Sequence, residues 1–133
     1  MATDLQFDDA INRALKMAYL TPEIVDARAK VVQALQARVG QKVLDIGSGP
    51  GLLASDIAAG VGEAGAVVGI DLADNMLESA RELCADTTWV TFEQADAMSL
   101  PFDDNSFDAV VSTQVYEYVP DLEAALVEFA RVL

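Results

Sequence analysis

The most informative segment of the sequence is Val43-Leu44-Asp45-Ile46-Gly47-Ser48-Gly49-Pro50-Gly51, in which an apolar strand leads directly into three alternate glycines. A Cβ atom at any of these glycines would keep a ligand away from the backbone or disfavour the positive φ that such a turn often needs. The triplet therefore predicts a loop in which the backbone closely approaches a nucleotide, just beyond the end of a buried parallel strand.

The segments on either side of this loop alternate between helix and strand. Two helices come first, over residues 4–19, where Leu5, Ile11, Leu15, Ala18 and Tyr19 recur at helical spacing, and over residues 22–38, between a Thr21-Pro22 start and Gly40. The later pattern predicts strand 42–46, helix 51–59, strand 66–70, helix 74–85, strand 89–92, loop 96–107, strand 109–112 and a helix capped by Asp121. This alternation predicts an α/β fold, a doubly wound parallel sheet of order 3-2-1-4 over residues 41–133, preceded by a helical cap over residues 1–40.

Helical periodicity also predicts which side chains are buried. Met76, Leu77, Ala80 and Leu83 share one face of their helix, and the last helix is expected to bury Leu122, Leu126 and Phe129 while Glu123, Glu128 and Arg131 face water. In the predicted sheet, strands 1 and 4 are neighbours whose crossovers leave toward opposite faces, which opens a ligand crevice at their carboxyl ends. We expect that crevice to be lined by residues 47–51 and 113–119, with Asp71 and Asp96 at the ends of strands 2 and 3.

Composition excludes several classes of function. Apolar residues make up 53% of the 133 and charged residues 23%, which is typical of a globular domain. The formal charge of −14 opposes nucleic acid as a partner. No apolar run reaches the roughly 18 residues of a membrane span and no leader pattern is present, so we expect a cytoplasmic protein. Without histidine, and with Cys84 as the single cysteine, no metal site and no histidine-based triad is expected.

The spacing of the glycines favours adenosine without phosphates over a dinucleotide. A dinucleotide-binding loop has its third glycine at the sixth position, where this sequence has Leu52. No Lys or Arg lies between Lys42 and Arg81 to neutralise a pyrophosphate. An acid at Asp71 fits the ribose of either ligand, so an NAD-dependent oxidoreductase stays open as a less favoured interpretation.

Four motifs in order give the chain a resemblance to a known family. They are VLDIGSGPG (43–51), VVGIDLADNML (67–77), FEQADAMSLPFDDNSFDAVVS (92–112) and QVYEYVPD (114–121). Together they resemble the N-terminal part of a class I S-adenosylmethionine-dependent methyltransferase. The LPFDDNSFD segment is most similar to methyltransferase type 11 proteins, the group that includes ubiquinone and menaquinone biosynthesis C-methyltransferases. The resemblance implies a Rossmann-like domain, S-adenosyl-L-methionine as cofactor and a small organic molecule as methyl acceptor.

The resemblance also implies roles for single residues. Asp45 would hold the amino end of the methionine moiety within the loop of Gly47, Ser48, Gly49 and Gly51; Asp71 would accept from the ribose hydroxyls; Leu72 and Met76 would pack on the adenine face; Asp96 and the N–H of Ala97 would bind the adenine edge; and Gln114 would close the site. Simpler alternatives remain for the three glycines, which could form a tight turn without a ligand, and for four of the side chains. Asp45 could bind local N–H groups, Asp71 could be a cap, Asp96 could be solvated and Met76 could be a core residue.

Methyl transfer from a sulfonium needs positioning more than a protein nucleophile. A base is required only for an acceptor that must lose a proton, and the candidates are Tyr116, Glu117 and Tyr118, which could equally be packing residues. Tyr19 and Arg28 could fold over the carboxylate of the cofactor, or have packing or surface roles.

In the family, a segment like EFARVL is followed by further strands that complete the sheet. We therefore expect this chain to hold the cofactor-binding half of such a domain, with strand 4 as an apolar edge that favours self-association. A domain that binds the cofactor without catalysis is the alternative function.

Overall fold

The computed structural model describes residues 9–113, 115 and 118–133. Its elements alternate as the sequence predicts: α1 (Asp9–Ala18), α2 (Pro22–Leu35), β1 (Lys42–Ile46), α3 (Leu52–Val61), β2 (Ala66–Asp71), α4 (Asp74–Leu83), β3 (Val90–Gln94), β4 (Ala109–Ser112) and α5 (Leu122–Val132). The predicted start of the first helix, with Leu5, lies outside the described residues. None of the helices in the described ranges combines the length and the apolar character that a bilayer span requires.

The four strands form one parallel sheet of order β3-β2-β1-β4, which confirms the predicted topology. In the central strand β1, Asp45 lies level with Gly69 of β2 and Val111 of β4. Neighbours on both sides explain why β1 is almost wholly apolar and buried from Val43 onward. The carboxyl ends of β1, β2 and β4 consequently meet at one edge of the sheet.

The core lies in two layers, one on each face of the sheet. Val43 and Val67 pack on one face against α3 and α4, where Ile57, Ala58 and Leu77 are buried. Leu44, Ile46, Val68 and Ile70 pack on the other face with Leu100, Phe107, Ala125 and Val132. Alternate residues of each strand thus serve opposite layers, as in a doubly wound fold.

The predicted end of α2 is wrong. The helix stops at Leu35 because Gln36 takes a left-handed conformation, with φ 51°, and its N–H donates to the carbonyl of Val32. Gly40 instead lies in the turn before β1, where its N–H donates to the carbonyl of Val61.

The predicted apolar faces of two helices need correction. Leu122 and Leu126 of α5 are 47% and 54% exposed, whereas the small Ala125 is fully buried in the core layer that contains Leu44 and Ile46. Leu83 at the end of α4 is also about half exposed. The prediction for α5 used only its large apolar residues and therefore missed Ala125, which is small but buried.

The prediction that Glu128 and Arg131 face water is wrong, because both side chains bind the loop before β4. Oε2 of Glu128 accepts from the N–H of Leu100 at 2.8 Å. The guanidinium of Arg131 donates to Glu128 and to the carbonyls of Leu100 and Phe102. The pair therefore fixes the loop before β4 onto α5.

Candidate functional site

The glycine loop is pinned to the end of β2. The N–H groups of Gly47 and Ser48 both donate to the carbonyl of Ile70, at 2.8 and 2.9 Å. The N–H of Gly51 donates to the carbonyl of Ser48 and closes the turn, and α3 begins one residue later. A fixed loop at a helix N-terminus offers backbone N–H groups to a ligand.

All three glycines of the loop have positive φ, at 74°, 52° and 87°, but their surroundings differ. A Cβ on Gly47 would overlap the side chain of Val115, and a Cβ on Gly51 would lie 2.9 Å from Cβ of Ala80. The nearest atom to a Cβ on Gly49 is Oη of Tyr19, at 3.7 Å. A Cβ on Gly49 would therefore make only an ordinary van der Waals contact, whereas Gly51 is required for the packing of α3 against α4.

Asp45 is a buried carboxylate at the end of β1, with 1% of its surface exposed. No described residue donates a hydrogen bond to its Oδ2. Burial, and secondly the negative charge of Asp71, raise the pKa of Asp45 to about 7. The alternative in which Asp45 only binds local N–H groups leaves this oxygen unexplained. A cationic group would satisfy it, because a buried charge needs an opposite charge or a proton.

Asp71 ends β2 and accepts from two backbone donors. Its Oδ2 accepts from the N–H of Gly49 and its Oδ1 from the N–H of Ala73, both at 2.9 Å. The capping alternative thus describes part of what it does. A carboxylate has about four acceptor positions, so Asp71 keeps capacity for further donors such as hydroxyl groups.

The remaining predicted adenine contacts are Leu72 and Met76 on the face of the ring and Asp96 and Ala97 at its edge. Leu72 is 44% exposed and offers an apolar surface beside Asp71, while Met76 is buried, which favours the core alternative for it. Asp96 is exposed and accepts from the N–H of Met98 at 2.9 Å. Ala97 is buried next to it.

A pocket joins the glycine loop to the helices that precede the sheet. It is lined by Tyr19, Ile24, Ala27, Arg28, Val31, Asp45, Gly47, Ser48, Pro50, Leu52, Leu53 and Thr113. From α2, the sequence pointed only to Arg28 as a residue that could reach the cofactor. Ile24 and Val31 also line the pocket, and with Arg28 they stand at i, i+4 and i+7, the spacing of one helix face. Oγ of Ser48 is buried in this pocket and has no hydrogen-bond partner in the described ranges.

Arg28 links α2 to the start of α3. Its Nε forms an ion pair with Oδ2 of Asp56 at 2.6 Å, and its Nη1 donates to the carbonyl of Tyr19 at 3.2 Å. Burial and the nearby charges of Asp71, Tyr118 and Asp45 raise the pKa of Tyr19. Asp56 was not singled out in the sequence, where nothing marks it as the partner of Arg28.

The candidates for the remaining contacts are placed only in part. Gln114, Tyr116 and Glu117 lie outside the described residues. Tyr118 is 54% exposed and its N–H donates to the carbonyl of Val115.

The sequence of this chain is similar to those of known methyltransferases. Residues 44–133 match a protein family described as a methyltransferase domain. The demethylmenaquinone methyltransferase of Desulfitobacterium hafniense is 38% identical over 109 residues, which cover 80% of this chain and 43% of that protein. The Staphylococcus aureus protein of the same name is 42% identical over 106 residues, which cover 80% of this chain and 44% of that protein. The chain thus spans less than half the length of these curated relatives.

One solved structure is similar over nearly the whole chain. It is the Haemonchus contortus phosphoethanolamine N-methyltransferase 2 in complex with phosphomonomethylethanolamine and S-adenosylhomocysteine, with a TM-score of 0.84 and 28% identity. The similarity covers 97% of this chain and 32% of that one.

Proposed function

The chain belongs to the class I S-adenosylmethionine-dependent methyltransferases, and on that premise we propose that it binds S-adenosylmethionine at the carboxyl edge of its sheet, in an enzyme that methylates a small organic acceptor. The observation that carries this proposal is the buried, unpartnered carboxylate oxygen of Asp45 in the pocket of the glycine loop. The cofactor of this family bears an ammonium group on the same molecule as an adenosine, and an ammonium can donate to such a carboxylate and balance its charge.

The described residues suggest one orientation for the ligand. Asp45 and Ser48 hold the ammonium end, with Gly49 leaving room for the backbone to approach. Asp71 accepts from the ribose hydroxyls with the lone pairs that its two backbone donors leave over. Leu72 covers the adenine face.

The other predicted contacts of the cofactor are part of the same proposal. Asp96 and the N–H of Ala97 bind the adenine edge, and Gln114 closes the methionine end. Met76 is buried, and it supports α4 beneath the adenine rather than touching it. Gly47 and Gly51 shape the loop through their own packing.

When bound, S-adenosylmethionine would supply a methyl group carried by a positively charged sulfur. The acceptor would bond to the methyl carbon as the thioether leaves on the opposite side with the electrons of the carbon–sulfur bond. The residues of this chain then contribute by holding the sulfonium in one orientation and by keeping water out of the pocket. An acceptor that must lose a proton requires a base, and Tyr116, Glu117 and Tyr118 are the proposed candidates.

We propose a quinone-like molecule as the first acceptor to test, because two relatives carry the name demethylmenaquinone methyltransferase. Apolar side chains of α2 and α3, among them Ile24, Val31 and Leu53, line the pocket and suit an apolar acceptor. We further expect the protein to act in the cytoplasm.

A turnover assay tests this function. The chain, and a version extended to the length of the relatives, are incubated with methyl-labelled S-adenosylmethionine and a reduced demethylmenaquinone analogue. We expect labelled quinone from at least the extended version. If both versions bind S-adenosylmethionine but neither forms labelled quinone, the result would favour the alternative function, a domain that binds the cofactor without catalysis.

Self-association is a separate proposal about the edge of the sheet. β4 pairs with β1 on one side, and no described strand pairs with its other side. An unpaired edge of this kind is a template for a second copy. Sedimentation velocity over a hundredfold concentration range should show a shift from monomer to dimer, and a constant sedimentation coefficient would contradict the proposal.

A further inference from the structure

We infer that Asp45 selects the ligand by charge: in the free protein it carries a proton, and it exchanges that proton for the ammonium group of the ligand. This inference rests on the proposed function and goes beyond it, because it makes proton release a part of cofactor binding.

The geometry around Asp45 leaves a proton as the simplest partner. The side chain is 1% exposed, and its Oδ2 has no hydrogen-bond partner among the residues that the structure describes. Both oxygens of Asp71 already accept from backbone N–H groups, whereas Oδ2 of Asp45 accepts from no described donor. Asp45 is therefore the member of the acidic pair that is disposed to take up a proton.

Charged and titratable groups face Asp45 from several elements. Asp71 approaches from β2 and Tyr19 from the turn after α1, and Tyr118, from the segment after β4, acts on Tyr19. From α2, Arg28 lines the same pocket, but its Nε is paired with Asp56 of α3. Within the described ranges, Asp45 forms no ion pair with a basic side chain.

Burial and the charge of Asp71 raise the pKa of Asp45 to about 7, so the carboxyl group is neutral in most molecules below that pH. An ammonium group placed against the carboxyl favours the ionised form instead. The exchange is balanced: the neutral carboxyl of Asp45 and the ammonium group of the ligand become a carboxylate–ammonium pair, and one proton passes to the solvent, while the ligand's own carboxylate keeps its charge throughout. A neutral nucleoside that lacks the ammonium leaves the proton in place.

Calorimetric titration with S-adenosylhomocysteine in pairs of buffers of different ionisation enthalpy counts the released protons. We expect about one proton per ligand at pH 5.5 and about half a proton at pH 7, a range in which the ammonium of the ligand stays protonated. The dissociation constant should rise toward tenfold for each pH unit below about 6.

Two comparisons assign the proton to Asp45. 5′-Methylthioadenosine has the same nucleoside and thioether sulfur but no ammonium, and it should bind to the unaltered chain without proton release. Asp45→Asn should bind S-adenosylhomocysteine more weakly and release no proton. Asp26→Asn, which removes a carboxylate from an exposed ion pair with Lys30, should behave as the unaltered chain does.

Several results would overturn the inference. Binding of S-adenosylhomocysteine with the same heat in every buffer at pH 5.5 would refute proton exchange and leave the proposed function standing. Equal proton release with 5′-methylthioadenosine, or from Asp45→Asn, would assign the proton to another group. A complete lack of binding would refute the proposed function together with this inference. The comparison of the two ligands needs no variant, so the test does not depend on the folding of Asp45→Asn.

Discussion

Replacing Gly51 with alanine should destabilise the fold through two separable effects. Gly51 has φ 87°, a left-handed conformation in which alanine costs about 1 to 2 kcal/mol. The new Cβ would lie 2.9 Å from Cβ of Ala80 and 3.1 Å from Cζ of Phe92, so α4 and β3 must shift. Such overpacking adds about 1 to 3 kcal/mol. We therefore expect the free energy of unfolding to fall by about 2 to 5 kcal/mol, the sum of both effects.

Gly40 provides the matched control, because its φ of 88° is nearly the same and a Cβ there would meet no atom within 4 Å. Gly40→Ala should lose only the backbone part, about 1 to 2 kcal/mol. Urea denaturation followed by the fluorescence of Trp89, the single tryptophan, measures both variants. Equal losses in the two would refute the packing role of Gly51. Gly49→Ala should resemble Gly40→Ala in stability but lose affinity for S-adenosylhomocysteine, because its Cβ would lie 3.7 Å from Oη of Tyr19, a residue that lines the pocket.

Three further predictions concern acidic residues. Asp71→Ala should weaken S-adenosylhomocysteine binding at least about fivefold, or about 1 kcal/mol, in calorimetry, and an unchanged affinity would leave Asp71 as a cap alone. The raised pKa of Asp45 means that the folded state binds a proton which the unfolded chain loses above about pH 4. The free energy of unfolding of the free chain, measured by urea denaturation, should therefore fall as pH rises from about 4 to 7. The same fall in Asp45→Asn would contradict this prediction. Hydrogen bonds from Arg131 and from the N–H of Leu100 lower the pKa of Glu128, so its stabilisation is present at neutral pH and lost as pH falls below about 4. Glu128→Gln should make the midpoint of thermal unfolding depend less on pH below about 4. The same dependence on pH in the variant and the unaltered chain would contradict this prediction.

Local patterns were enough to predict the centre of the fold. β1 is the central strand, buried from Val43 onward, so a short and mostly apolar run marked it, and the glycines after it indicated the turn into α3. The alternation of elements then determined the order β3-β2-β1-β4, because right-handed crossovers leave few other topologies.

The errors lie where packing across the chain overrides local pattern. The buried residues of α5 are Ala125 and Val132 rather than Leu122 and Leu126, which no periodicity of leucines reveals. α2 ends at a left-handed Gln36 although glycine is the usual residue for that conformation.

The candidate site was predictable from sequence where its residues lie at the carboxyl ends of strands. Asp45 is the second-last residue of β1 and Asp71 is the last residue of β2, so both positions follow from the order of the elements. The wall formed by α2, and the pairing of Arg28 with Asp56, depend on how the preceding helices dock. Docking between elements distant in sequence leaves no local signal.

The most direct measurement is a pair of calorimetric titrations of the 133-residue chain, one with S-adenosylhomocysteine and one with NAD, under identical conditions near pH 7. Saturable binding of S-adenosylhomocysteine at one site per chain, with no heat from NAD, is the expected result. Binding of NAD without binding of S-adenosylhomocysteine would contradict the assignment of the pocket beside Asp45 to a methyl-donor cofactor.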